Sequence, residues 1–241
     1  MIQSIVQHQR KSKLGYLWEI FDPMMQIGVW FALFTVVFHR DRHIYDMNVF
    51  LFLSTGIISF FFFQKVAGET QRARKSRLKY LNIPRVSVFD FIAASALLEV
   101  VLMILVAIIL WGIIVYGGFG FAPADPLGVI GGVGCLAFLG CGFGVYNAGV
   151  ISWLPVHQKF CPVYQRILFL TSGAIFPVDR MPPDILNILK WNPVYQGVDL
   201  VRSAWSYTHE PEYSSNSYVL LWGAFLLLIG SVLIKKQTNY L

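Results

Sequence analysis

Charge is scarce in this chain. Of its 241 residues only 13% are charged and 56% are hydrophobic, where a soluble domain carries about 25% charged residues. A water-soluble fold of this length would lack the polar groups to cover itself, so the bilayer is its natural solvent. Cysteine is scarce too, at three residues. Cys135 and Cys141 stand six apart in an apolar run, about 240° around a helix. They form no metal pattern with Cys161 and read as small hydrophobes. The five histidines are scattered in loops without a serine or cysteine partner, so no catalytic constellation emerges. A GxxxxGK[ST] loop is absent. The GCGFG at 140–144 follows no strand and has no lysine to meet a phosphate, so nucleotide binding is not read there. Energy for any transport must then come from another chain or from a gradient. The first 22 residues have basic side chains in their middle and no apolar run before a small-residue cleavage site, so no cleavable signal peptide is expected.

Long apolar runs are what the chain does have. A spanning helix needs about 20 mainly apolar residues. The sequence predicts six: 23–38, 48–66 with its FFFF block, 88–116, 127–153, 163–176 and 218–234. Pro23 suits the first turn of a helix. The expected class is an all-α integral membrane protein, with 1–241 as a single transmembrane domain.

The loops between the runs settle a predicted orientation. Taking alternate loops from the N-terminus, one set carries fourteen Lys and Arg and the other five, together the 19 of the chain. The richer set holds Arg10, Lys11 and Lys13, the cluster from Lys65 to Arg85, Lys159 and Arg166, and Lys235 and Lys236. Positive residues stay on the cytoplasmic side, so both termini and the 67–85 loop are expected there. The 39–47, 117–126 and 177–217 segments then face outward and hold most of the acids. The net charge of +6 thus marks topology, and nucleic acid is not an expected partner.

Several segments admit two readings. Residues 1–22 are amphipathic and read as an interfacial helix with Tyr16 and Trp18 at headgroup depth. This is either an anchor alone or a cationic surface for a lipid head or a phosphate-bearing substrate. The 67–85 segment carries Glu69, Arg72, Lys75 and Lys79 at helical spacing and ends at Asn82-Ile-Pro84, because the residue before proline avoids helical angles. It is either a solvated topology signal or a helix that docks on a cytoplasmic partner. Gly128 and Gly132, and Gly140, Gly144 and Ala148, stand at the four-residue spacing that lets membrane helices approach closely. Glu99 falls roughly 16 Å into the third run at 1.5 Å per residue; it is either a costly buried acid or, if the first turns lie in the interface, close to the surface. Between Pro177 and Ser217, the stretch 184–191 is too short to cross a bilayer and reads as a helix dipping into the outer leaflet. Trp191, Tyr195, Trp205, Tyr207 and Tyr213 around it form either an interfacial belt or the lining of an exit for a sugar-like substrate.

Three stretches together resemble one family. LGYLWEIFDPMMQIGVWFALFTVVF at 14–38 is similar to an LGxLW signature followed by a proline-led first span. SGAIFPVDRMPPDILNILKWNPVYQGVDLVRSAW at 172–205 resembles a signature of SG, FP, a proline, NP and a final arginine, with Met181 where leucine is usual. The basic loop before Ile83-Pro84 matches in position. These resemble the type-2 ABC exporter permeases of the capsule polysaccharide and O-antigen group, and the ending Asp199, Arg202, Trp205 looks closer to the capsule branch.

The resemblance implies a homodimer of this chain working with two copies of a separate ATPase subunit, which binds ATP and Mg; no cofactor is expected in this chain. It implies a lipid-linked polysaccharide as substrate, and periplasmic and outer-membrane export proteins as further partners. The coupling helix would fall on Glu69, Arg72, Arg74, Lys75, Arg77 and Lys79. A lipid phosphate would enter by Arg10, Lys11, Lys13 and Trp18. The glycan would leave past Trp191, Tyr195 and Trp205, beside a periplasmic re-entrant segment. The expected location is the inner membrane. The rivals are a permease of the same architecture for O-antigen, teichoic acid or a drug, a membrane-embedded enzyme acting on lipids or glycans with only Glu99 and Asp90 as candidate acids, and a gradient-driven carrier, for which no internal repeat is seen.

Overall fold

A computed structural model describes residues 13–37, 45–78, 88–177, 182–211 and 213–238; at 13–20, 36–37, 74–78, 88 and 238 it describes the backbone alone. Among these residues the chain is helical and has no strand. The helices are α1 (Lys13–Ala32, extended by a π-helical turn Leu33–Val37), α2 (Val49–Leu78), α3 (Val88–Tyr116), α4 (Pro126–Trp153), α5 (His157–Thr171), α6 (Pro183–Leu189), α7 (Pro193–Trp205) and α8 (Asn216–Thr238).

Local chemistry fixes many of these ends. Asp125 caps α4 by accepting from the Leu127 N–H at 3.1 Å, with Pro126 in the first turn. Asn192 caps α7 in the same way, accepting from Val194 N–H at 3.0 Å, with Pro193 behind it. α3 ends in Gly117-Gly118, and Gly118 takes the left-handed φ of +76°.

α2 is the axis of the fold. Its four consecutive phenylalanines, Phe60 to Phe63, point about 100° apart around the helix, yet all four are buried. A helix buried on every side must be surrounded, and α2 packs against α1, α3, α4 and α7. α4 lies beside it and beside α8, and its small residues set the distance. A Cβ on Gly144 would stand 2.6 Å from the Ala67 carbonyl oxygen of α2, and one on Gly142 would collide with the Gly223 carbonyl of α8. The backbones touch there because no side chain intervenes.

α3 and α8 show the opposite pattern. Leu97, Val101, Leu105 and Ile108 on α3, and Leu221, Phe225, Leu228 and Val232 on α8, are exposed. Such continuous apolar faces suit oil. Among the described residues, four helices are long and apolar enough to cross a membrane: Val49–Ala73, Phe89–Tyr116, Pro126–Trp153 and Asn216–Gln237.

Three expectations change. α1 runs through Pro23 without a break, so the interfacial segment and the first apolar run are one helix where the backbone is described. Proline removes one helical hydrogen bond, a loss tolerated in membrane helices. The predicted fifth run, 163–176, is instead a 15-residue helix starting at His157, about 22 Å long. It stops at Ser172-Gly173, where Gly173 takes φ +68°. The basic segment after residue 66 is no separate helix up to Leu78; it continues α2.

Candidate functional site

The two ends of the bundle differ in chemistry. At the end where α2 begins, the segment 184–215 folds over the helix tops around a buried polar cluster. α7 carries Gln196, Asp199 and Arg202, each three residues on from the last, so that neighbours in the series adjoin and the three sweep an arc of about 120° around the helix; all three are buried. Arg202 Nη1 donates to the Gly173 carbonyl at 3.0 Å and Nη2 to that of Ala174 at 3.3 Å. Its guanidinium lies 3.9 Å from the ring centre of Phe52 on α2. Asp199 accepts from the Ser214 hydroxyl at 2.6 Å and pairs with His209 Nε2 at 2.8 Å. The Gln196 amide oxygen accepts from Ser215 N–H at 3.1 Å. Asp46, before α2, accepts from the Ser206 hydroxyl and from Tyr207 N–H. Burial alone would raise the Asp46 carboxyl, but these hydrogen bonds outweigh it and hold it below the ordinary carboxylate value. These contacts tie α7 to the end of α5 and to the segment before α2, which makes the cluster a clasp.

At the other end, where α2 turns basic, lies a cavity of about 460 Å3. α1 presents Asp22 and Gln26 to it, four apart. α2 presents Gln64, Lys65, Gly68, Gln71 and Arg72, and α5 presents Gln158, Cys161, Pro162 and Gln165. Each helix thus turns one polar stripe inward at i, i+3, i+4 or i+7 spacing. Lys65 pairs with Asp22 at 3.5 Å, and Arg72 with Glu69 at 2.9 Å.

The predicted site residues fall on both ends. Glu69 and Arg72 face each other on the last turns of α2, and Arg74, Lys75 and Arg77 lie further along the same helix. Lys79, Arg10 and Lys11 lie outside the described residues; Lys13 and Trp18 are on α1, where the backbone alone is described. The three aromatics separate. Trp191 is 67% exposed, while Tyr195 and Trp205 are 3% and 2% exposed. The Trp205 indole donates to the Phe121 carbonyl at 2.9 Å and packs on Trp111 at 4.9 Å. It walls an apolar slot of about 560 Å3 between α3 and α4, beside Ile104, Ile108 and Val133. In this chain it is packed, not exposed. Glu99 is 1% exposed and so is buried against the protein, at whatever depth α3 lies.

The chain matches the ABC-2 type transporter family over residues 1–205. This chain belongs to that family. Among its relatives, the polysialic acid transport protein KpsM of Escherichia coli is 29% identical over 227 residues, covering 94% of this chain and 87% of that protein. The capsule polysaccharide export inner-membrane protein CtrC of Neisseria meningitidis serogroup B (strain ATCC BAA-335 / MC58) is 21% identical over 236 residues, covering 98% of this chain and 88% of its own.

An ABC-2 permease is a transport protein, so the reading as a lipid- or glycan-modifying enzyme gives way. Within the ABC-2 match the signature from Ser172 to Arg202 gains a physical meaning. Asn192 Nδ2 donates to the Thr171 carbonyl at 3.3 Å and to its hydroxyl at 3.2 Å, and Arg202 closes on Gly173. The motif ties the end of α5 to the start of α2. Sequence reasoning named Asp199 and Arg202 only as part of a likeness, and it missed the glutamines of the opposite cavity. No signal marked them, since each amide taken singly reads as an ordinary polar edge of an apolar run.

Proposed function

We propose that this chain is the membrane permease subunit of an ATP-driven exporter that carries lipid-linked capsular polysaccharide across the inner membrane. Two copies form the path, and two separate ATPase subunits, loaded with ATP and Mg, drive it. The observation that carries this reading is similarity, along nearly the full length of the chain, to a polysialic acid transport protein and to a capsule polysaccharide export inner-membrane protein. The charge bias of the loops supports cytoplasmic termini. With that orientation the basic end of α2 from Glu69 to Arg77, together with Lys79 in the sequence beyond it, is the coupling surface, and the amide-lined cavity opens toward the cytoplasm. α1 and α5 complete six crossings, with their polar stripes turned to a water-filled path rather than to oil. α6, only seven residues long, dips into the outer leaflet, and Trp191 beside it has a face available to a departing glycan. Periplasmic and outer-membrane export proteins would receive the polymer.

Deleting the gene in its host and staining the cell surface for polysaccharide tests the reading. Loss of the surface polymer with accumulation inside the cell, restored by the intact gene, is the expected result. Normal surface polysaccharide in the deletion strain would overturn it.

A further inference from the structure

The cavity at the basic end is built from amides. Gln26, Gln64, Gln71, Gln158 and Gln165 converge on it from three helices. Both of its lining cations are engaged, Lys65 with Asp22 across the cavity and Arg72 with Glu69 just outside the lining. Its volume of about 460 Å3 falls in the ~300–1,000 Å3 range of small-molecule sites.

This chemistry selects among ligands. Oil is excluded, since five amides facing hydrocarbon would each lose their hydrogen bonds to water. A phosphate would need cations not already engaged. A sugar fits, because each glutamine both donates and accepts, as does each sugar hydroxyl. Phe61 and Pro162 in the same wall supply apolar surface for the C–H face of a sugar ring. A neutral hydrogen bond contributes only about 0.5–1.5 kcal/mol net, so several together hold a polymer segment without preventing its onward movement.

We propose that the five-glutamine cavity is a glycan-recognition site at the entry of the export path. It reads the hydroxyl and amide groups of the sugars, not the lipid phosphate. This rests on the polysaccharide-export reading above and assigns the sugar-reading residues.

The test places a benzophenone amino acid at Gln64 or Gln165 of the full chain, in cells that carry its ATPase subunits and make polysaccharide. A third strain carries it at Ile104 in the apolar slot. After irradiation the chain is purified and its adducts are analysed for sugar, phospholipid and protein. Sugar attached at 64 and 165 but not at 104, lost when polysaccharide synthesis is switched off, is the expected result. The yield in membrane vesicles should be equal in low and high salt, whereas a phosphate grip would weaken with screening. Adducts that contain only phospholipid or only the ATPase subunit would overturn the proposal.

In parallel, the pair Gln64→Leu and Gln165→Leu should lower surface polysaccharide about tenfold or more, with the chain still present in the membrane. The pair Gln64→Asn and Gln165→Asn should recover most of it. Full export by the leucine pair would likewise overturn the proposal. Sugar-free crosslinks in a strain whose export depends on this gene sink the cavity assignment alone; export that does not depend on the gene sinks both.

Discussion

Arg202 holds Gly173. The guanidinium reaches from α7 to the carbonyl at the end of α5, at 3.0 Å, and a second nitrogen takes the next carbonyl, at 3.3 Å. Gly173 adopts φ +68°, a conformation open to glycine at little cost, and this turns its carbonyl into reach. Gly56 on α2 lies directly under the same contact, so that a Cβ there would stand 2.5 Å from the guanidinium. Three helices thus meet at one planar group.

Replacing Arg202 should therefore cost stability before it costs specificity. Arg202→Ala leaves two buried carbonyls without their donor, at about 1–3 kcal/mol each. Arg202→Lys keeps the charge but loses the planar fork, so it should recover only part. Thermal unfolding of the detergent-purified protein should rank wild type above Arg202→Lys and both above Arg202→Ala. Equal midpoints for all three would show that the contact is dispensable.

The α4 packing predicts a contrast between neighbouring glycines. Gly142→Val forces a side chain into the Gly223 backbone, and Gly144→Val into Ala67 and Thr70. Overpacking of this kind costs about 1–3 kcal/mol, occasionally more. Gly131 has open space where its Cβ would go, so Gly131→Ala should be neutral or slightly stabilising. Levels of folded protein in the membrane, read by fluorescence size-exclusion, should fall for the first two and hold for the third.

Charge reversal on the basic end of α2 addresses the partner. Arg74→Glu, Lys75→Glu and Arg77→Glu together should reduce co-purification of the ATPase subunit about tenfold and abolish export, since like-charge contacts at an interface cost several kcal/mol. Normal recovery of the ATPase subunit with the triple variant would rule the segment out as a docking surface.

Asp46 gives a pH dependence with a definite sign. Its hydrogen bonds lower its carboxyl in the folded state, below the unfolded value of about 3.9. As pH falls, the unfolded chain takes up the proton first. The stabilisation from Asp46 is therefore complete above about pH 4 and is lost as pH falls through the lowered folded value. Asp46→Asn removes this term. The gap in melting temperature between wild type and variant should be wide at neutral pH and should close in acid. A constant gap would count against the assignment.

Proline, glycine and hydrophobic length made much of the fold legible. The third run is predicted at 88–116 and observed there, because it is uniformly apolar and ends in Gly-Gly; the fourth is predicted to start within a residue of Pro126, where its helix begins. α2 was underestimated because the reading stopped where charge began. Yet Glu69 to Leu78 is rich in Ala, Gln, Lys and Arg, all good helix formers, so the helix leaves the oil without ending. α7 was hidden in a segment read as loop, although Gln196, Asp199 and Arg202 repeat at helical spacing. The glutamine cavity could not be seen at all: each amide alone looks like the polar edge of a span, and only packing of α1, α2 and α5 brings them together.

The uninterrupted length of α2 has a mechanical outcome. Its 30 residues form a rod about 45 Å long, with ion-paired Arg72 near one tip and Gly56, under the Arg202 contact, toward the other. A stiff strut gripped on all sides cannot tilt at one tip alone. On the proposed reading, a push delivered to its cationic tip would become a torque on the glutamine-lined chamber beside it and on the clasp above, gearing inlet and outlet to a single shaft.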